Sequence, residues 1–299
     1  MVGGKEKPPM RLSEAFSLYI QDRIVFANKS PKTEESYNYT LKSLLLFIGE
    51  DIQLKDLTFI IIRNWSASMK KRGLVSGTIR GYVVNIRAVL GYMQILGHEC
   101  LSPDRILVPT RSDPTPSFLT PTEVAHLLKV ITKTSRCSKL IIARNLAIVA
   151  LLYSSAIRAS ELCSLNRDDV DGEVFTVLGK GRKRRPCMID ARAKSLLDKY
   201  LALRTDSHAA LFIDNINGGR IKSGTLQSQF RRISQRSGLN KPVHPHTLRH
   251  SMANDLMRKG CHIYPLSRIM GHSSISTTQQ YFQLYDPELL EVHKKYHTI

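Results

Sequence analysis

The chain has 299 residues, with 44 Lys and Arg against 25 Asp and Glu, a formal charge of +19 and a pI of about 9.9. That length suits two domains with a core each, and the charge argues against a typical metabolic enzyme and for a polyanionic partner, nucleic acid before membrane. Five scattered cysteines (Cys100, Cys137, Cys163, Cys187, Cys261) without CxxC spacing argue against a disulfide framework or structural zinc and suggest a reducing, cytoplasmic setting.

The opening "MVGGKEKPPM" has no apolar signal core. The longest apolar run, near "LAIVALLYSSA", falls short of the roughly 20 residues that cross a bilayer, so a soluble protein is expected. From Leu12 to about His98, four stretches carry apolar residues at spacings of three and four: "LSEAFSLYIQDRIVF", "KTEESYNYTLKSLLLFIG", "LTFIIIRNWSASMKKRG" and "SGTIRGYVVNIRAVLGYMQILG". This region, residues 1–105, is expected to be a small helical domain. Basic side chains along it, Arg80 and Arg87 among them, suit either a phosphate-facing surface or a solvated one.

"SPDRILVPTRSDPTPS" holds four prolines between Ser102 and Ser117, which excludes continuous helix and places an extended linker at 106–117. A second domain then begins at 118. Thr120 is an N-cap, Pro121 takes the first helical position and Glu123 closes a capping box. A long apolar helix follows ("LIIARNLAIVALLYSS"), then two short strands flanking "GKGRKRR", a helix near "ARAKSLLDKYLAL" and further helices. The fold class is mainly α with a small antiparallel β-sheet. "GKG" and "NGG" suit turns and match no nucleotide-binding fingerprint.

Four constellations in the second domain could carry chemistry. In "SSAIRASELCSL", Arg158 precedes Glu161 by three residues, which also suits a structural ion pair at a helix start. In "VLGKGRKRRPCMI", a hairpin turn places Lys180 at the tip with Arg182, Lys183, Arg184 and Arg185 behind it. Such packed like charges make sense against a phosphate backbone, although a solvated basic hairpin remains open. In "HPHTLRH", His246 and Arg249 share a helix face and His250 lies one position further round, so they can converge on one anion. In "IMGHSSISTTQQYF", Gly271 breaks a helix, His272 follows and Tyr281 lies nine residues beyond His272 on a new helix.

Together, two arginines, a lysine, two histidines and a tyrosine suit a pentavalent phosphorane, that is, phosphoryl transfer without metal. A phenol with a pKa near 10 is only about 0.1% ionised at pH 7, so guanidinium neighbours are needed to favour phenolate and the extra phosphate charge. Arginine's planar fork holds two nonbridging oxygens, and a lysine is the better proton donor to a leaving oxygen.

The ordered series Arg158 in "IRASEL", Lys180 in "GKG", His246 and Arg249 in "HTLRH", His272 in "GHSSISTT" and Tyr281 in "TTQQY" resembles the tyrosine site-specific recombinases of the phage integrase family, in particular Xer-type enzymes and compact mobile-element integrases. The resemblance spans nearly the whole chain. It implies a helical core-binding domain (1–105) and a catalytic domain (118–299) forming a clamp around double-stranded DNA with specific core sites. It further implies a tetramer on two duplexes, with no metal, ATP or other cofactor. By the same resemblance Tyr281 attacks the scissile phosphate to give a 3′-phosphotyrosyl link, and Arg158 and Arg249 hold the nonbridging oxygens. Lys180 protonates the 5′ leaving oxygen, His246 assists proton transfer, His272 hydrogen-bonds the phosphate, and Glu161 and His250 support.

Arg182, Lys183, Arg184, Arg80 and Arg87 are the expected DNA contacts. Ala156 stands where the family usually has glycine, which should tighten the turn that aims Arg158. A C-terminal helix at 286–299 is expected, with Asp286 as N-cap and Pro287 at the first position; by the resemblance it docks on a neighbouring subunit, with docking on its own domain the alternative, and a second recombinase or accessory protein would fit the family pattern. A DNA-relaxing topoisomerase of the type IB kind and a catalytically silent DNA-binding regulator are the alternatives.

Overall fold

The computed structural model describes residues 8–110, 117–134, 137–179, 184–214, 218–271 and 278. The chain divides into two compact units, Met1–Pro114 and Thr115–Ile299. Among the described residues no helix is long and apolar enough to cross a membrane.

The first unit is helical: α1 (Leu12–Tyr19) runs into a π-helical turn at Ile20–Val25, followed by α2 (Pro31–Ile48), α3 (Phe59–Lys71) and α4 (Ser76–Ile95). Pro31 at the first position starts α2, and Gly49 ends it in the left-handed region at φ +91°, where a side chain would be strained. Thr58 caps α3 by accepting the Ile61 N–H at 3.3 Å. The apolar stripes meet around Trp65, which is 1% exposed, donates its indole N–H to the Ser43 carbonyl at 3.1 Å and stacks on Tyr82. Ile106 is buried in this core and Arg80 donates to the Pro109 carbonyl at 2.8 Å. The start of the proline-rich segment therefore stays attached to the first unit.

The second unit comprises α5 (Pro121–Thr132), α6 (Lys139–Ser155), α7 (Ala159–Ser164), β1 (Val174–Leu178), β2 (Arg184–Met188), α8 (Ala191–Ala202), α9 (Ser223–Ser237), α10 (Pro245–Arg258) and α11 (Ile263–Met270). Helix α6 is its axis: Ala147 to Leu152 are buried without interruption, so the helix is apolar all round and packs against α5, α8 and α10. Strands β1 and β2 pair antiparallel, with Phe175 opposite Cys187 and Val177 opposite Arg185. A smaller apolar cluster of Ala156, Ala253, Met257, Leu266 and Met270 joins the end of α6 to α10 and α11.

The capping box at the head of α5 is formed in full: the Thr120 N–H donates to Glu123 at 2.7 Å and the Glu123 N–H to the Thr120 hydroxyl at 3.2 Å. Thr120→Ala removes the acceptor for that amide and is expected to destabilise the second unit by about 1 kcal/mol in urea denaturation. An unchanged midpoint would show the cap to be energetically idle.

Candidate active site

The site begins where α6 stops. Ala156 caps the helix in the left-handed region at φ 49° and ψ 28° and is fully buried. For a residue with a Cβ that conformation costs roughly 1–2 kcal/mol, which glycine would escape. Burial of the methyl group in the cluster with Ala253 and Met270 offsets part of this. The reversal sends Ile157 into the core and leaves Arg158 as N-cap of α7.

Arg158 is tied to its own helix by Glu161. Its backbone N–H and its Nη1 donate to the two carboxylate oxygens of Glu161, each at 2.7 Å, and its Nη2 donates to the Gly271 carbonyl at 3.1 Å. The Arg158 side chain is 36% exposed and Glu161 only 3%. Arg185 reaches the same carboxylate from β2, Nη2 to Oε2 at 2.8 Å. Burial by itself would raise the Glu161 carboxyl. The Arg158 N–H and the two guanidiniums outweigh it and hold the group below the usual carboxylate range.

Arg249, on α10, is 2% exposed and donates through Nη1 to the Ala156 carbonyl and through Nη2 to the Met270 carbonyl. Arg185 donates to the Ile269 carbonyl at 2.8 Å. Three consecutive carbonyls at the end of α11, those of Ile269, Met270 and Gly271, thus each receive a different guanidinium. These are the acceptors a helix leaves without intrahelical partners, and they lie at its negative pole. Gly271 closes the helix at φ +61°, and a Cβ built there would lie 2.4 Å from Arg185 Cδ.

His246 sits at the solvent-accessible start of α10, after His244, whose ring accepts the Thr247 N–H at 3.0 Å. Its ring meets the buried His250 edge to face at 4.2 Å between centroids. Desolvation, reinforced by the charges of Arg249, His244 and Arg158, pushes the His246 imidazole below its ordinary 6.5, so it is neutral at physiological pH. Cys187, buried on β2 beside this cluster, is pushed up to about 11 by burial, which leaves its thiol protonated and unreactive.

Arg158, Glu161 and Arg249 meet around the end of α11, and His246, in ring contact with His250, lies within the fields of Arg158 and Arg249. Lys180, Arg182, Lys183, His272, Tyr281 and the 286–299 segment lie outside the described residues. Arg184 is exposed at the start of β2. In the first unit, Arg80 is held by the Pro109 carbonyl, and Arg87 approaches the exposed Asp104 at 3.6 Å. Arg185, grouped in sequence with the basic turn, points inward at 11% exposure. Strand alternation was the available signal: Arg185 and Cys187 are two apart and lie on the same face as their buried strand partners Val177 and Phe175.

The phage integrase family model matches residues 117–288, a span that contains all six residues of the ordered series. The chain belongs to the phage integrase family. It is 31% identical over 252 residues to tyrosine recombinase XerC of Thermodesulfovibrio yellowstonii, covering 80% of this chain and 82% of that one. It is 30% identical over 292 residues to tyrosine recombinase XerA of Thermococcus kodakarensis, covering 96% and 95%. Among solved structures, the Tn1549 transposon integrase in complex with transposon right end DNA superposes with a TM-score of 0.79 at 20% identity, covering 96% of this chain and 99% of that one. The XerH site-specific recombinase bound to its difH substrate gives 0.70 at 21%, covering 96% and 84%. The fold is that of the tyrosine recombinases, and the chain is an enzyme of that class, one that cleaves DNA strands and transfers them.

Gly271 is the position where backbone and clasp meet. Gly271→Ala is expected to cost about 1–2 kcal/mol from the left-handed penalty alone, and more because Arg185 must move. Urea denaturation checks this, and a change within about 0.5 kcal/mol, that of an ordinary surface substitution, would show that the contact is not constraining.

Proposed function

We propose that this protein is a site-specific DNA recombinase in which Tyr281 attacks the scissile phosphate, displaces the 5′ oxygen and forms a 3′-phosphotyrosyl bond that a second strand's 5′ hydroxyl later resolves. The observation that carries the reading is the gathering of Arg158 and Arg249 on one helix end. Three guanidiniums against the one carboxylate of Glu161 leave a surplus of two positive charges, three minus one, with His246 neutral. A diester brings one negative charge and its phosphorane about two, so the surplus is matched to the transition state.

In this reading Arg158 and Arg249 hold the nonbridging oxygens, Lys180 protonates the leaving oxygen, neutral His246 moves the phenolic proton and His272 hydrogen-bonds the phosphate. Glu161 and His250 support. Residues 1–105 form the core-binding domain and 118–299 the catalytic domain. Arg182, Lys183, Arg184, Arg80 and Arg87 are proposed DNA contacts, with Arg80 and Arg87 exchanging their internal partners for phosphate. The working assembly is a cytoplasmic tetramer on two duplexes, with the 286–299 helix docked on a neighbouring subunit and no metal or cofactor. Its task is either dimer resolution or the integration and excision of a mobile element.

Incubating the protein with randomised duplexes and recovering the DNA bound covalently to it should yield one core sequence. Indiscriminate recovery, with relaxation of any plasmid, would overturn site specificity. On the recovered site, Tyr281→Phe should bind as wild type and trap no adduct; a 3′-linked complex from that variant would remove Tyr281 as nucleophile. Because burial and the neighbouring charges lower the His246 imidazole, the midpoint of the acid limb of cleavage at subsaturating DNA should lie below 6.5, and His246→Asn should lose that limb. A midpoint above 6.5 would contradict a lowered His246.

A further inference from the structure

Four basic residues follow the glycine-flanked turn in sequence, and the last of them is not part of a DNA-facing surface. Arg185 lies on the inward face of β2, between buried Cys187 and the strand partner Val177, and it is 11% exposed. Its two terminal nitrogens are both engaged: one holds Glu161 at 2.8 Å, the other the Ile269 carbonyl at 2.8 Å. Glu161 in turn carries Arg158 through the backbone and the side chain. The Ile269 carbonyl precedes those taken by Arg249 and Arg158. One side chain thereby ties β2 to the start of α7 and to the last turn of α11, and Gly271 lacks the Cβ that would strike its Cδ.

A buried carboxylate needs its cations. With Arg185 removed, Glu161 keeps a single guanidinium and the Ile269 carbonyl loses its donor, so both supports of Arg158 loosen together. Arg185 gives one terminal nitrogen to the Glu161 carboxylate and the other to the Ile269 carbonyl, so its charge is set against Glu161, whereas Arg184 stands exposed at the start of the strand. We propose that Arg185 is a positioning residue for strand cleavage, holding Glu161 and the end of α11 so that Arg158 and Arg249 present their guanidiniums to one phosphate. The proposal rests on Arg158 and Arg249 being the phosphate clamp.

The test uses the full-length protein and the trapped core site as a nicked duplex, with either a normal phosphodiester or a methylphosphonate at the scissile position. A methylphosphonate has no charged nonbridging oxygen and so makes less demand on a guanidinium clamp. Arg185→Met is expected to bind DNA within about threefold of wild type and to cleave the phosphodiester about 100-fold more slowly, in the range of losing one preorganised donor. On the methylphosphonate the loss should shrink to about fivefold or less, as it should for Arg158→Met. Equal losses on both substrates, or none, would overturn the proposal and leave Arg185 a structural anchor.

The Arg158→Met control separates the two readings. If it too loses equally on both substrates, the clamp assignment falls and the proposal with it. If it is selective and Arg185→Met is not, the proposal alone falls. Should Arg185→Met fail to melt cooperatively, Arg185→Lys takes its place. That variant keeps the charge on Glu161 but cannot span carboxylate and carbonyl, and the same substrate selectivity is expected, with its absence again overturning the proposal.

Discussion

The last turn of α11 is the constraint on which the site depends. A helix ends with carbonyls that its own backbone cannot satisfy, and here three in a row are satisfied by Arg185, Arg249 and Arg158, from positions 84, 21 and 113 residues away. Like charges would not gather in a protein interior unaided. The negative pole of the helix and the carboxylate of Glu161 make the gathering stable, and they leave it short of full neutrality. A polyanion complements such a cluster.

The same contacts explain why the surroundings are rigid. Arg249 bridges two elements by donating to Ala156 at the end of α6 and to Met270 at the end of α11, so the left-handed turn at Ala156 and the one at Gly271 are pinned by one side chain. Beneath them the cluster of Ala253, Met257 and Leu266 fixes α10 against α11. Electrostatic stabilisation of a developing phosphorane is effective only if the donors need no reorganisation when charge appears. Helix ends set in packed apolar surroundings meet that requirement better than free surface arginines would.

Much of this was legible in the sequence, for identifiable reasons. Thr120, Pro121 and Glu123 announce α5 because a capping box is a local device, and Arg158 with Glu161 announces α7 in the same way. Gly271 ends α11 because only the left-handed region closes it there. The fold class followed from periodicity and turn chemistry. What escaped was set by tertiary contact. The π-helical turn at Ile20–Val25 sits where Asp22 accepts from the distant Tyr92 hydroxyl at 2.7 Å and Arg23 lies over the same ring, which no local spacing encodes. Arg185 was concealed among charges of its own kind, and only the two-residue alternation with Cys187 marked its face. Arg80 and Arg87 looked free in sequence because their partners Pro109 and Asp104 lie beyond the helix that bears them.

A high-resolution structure of the protein bound to its core duplex, with the scissile phosphate intact, tests the central claim most directly. The account predicts Arg158 and Arg249 on the two nonbridging oxygens of the same phosphate while Arg185 still holds Glu161 and the Ile269 carbonyl. Finding those two guanidiniums on different phosphates, or the Arg185 contacts exchanged for DNA, would contradict it.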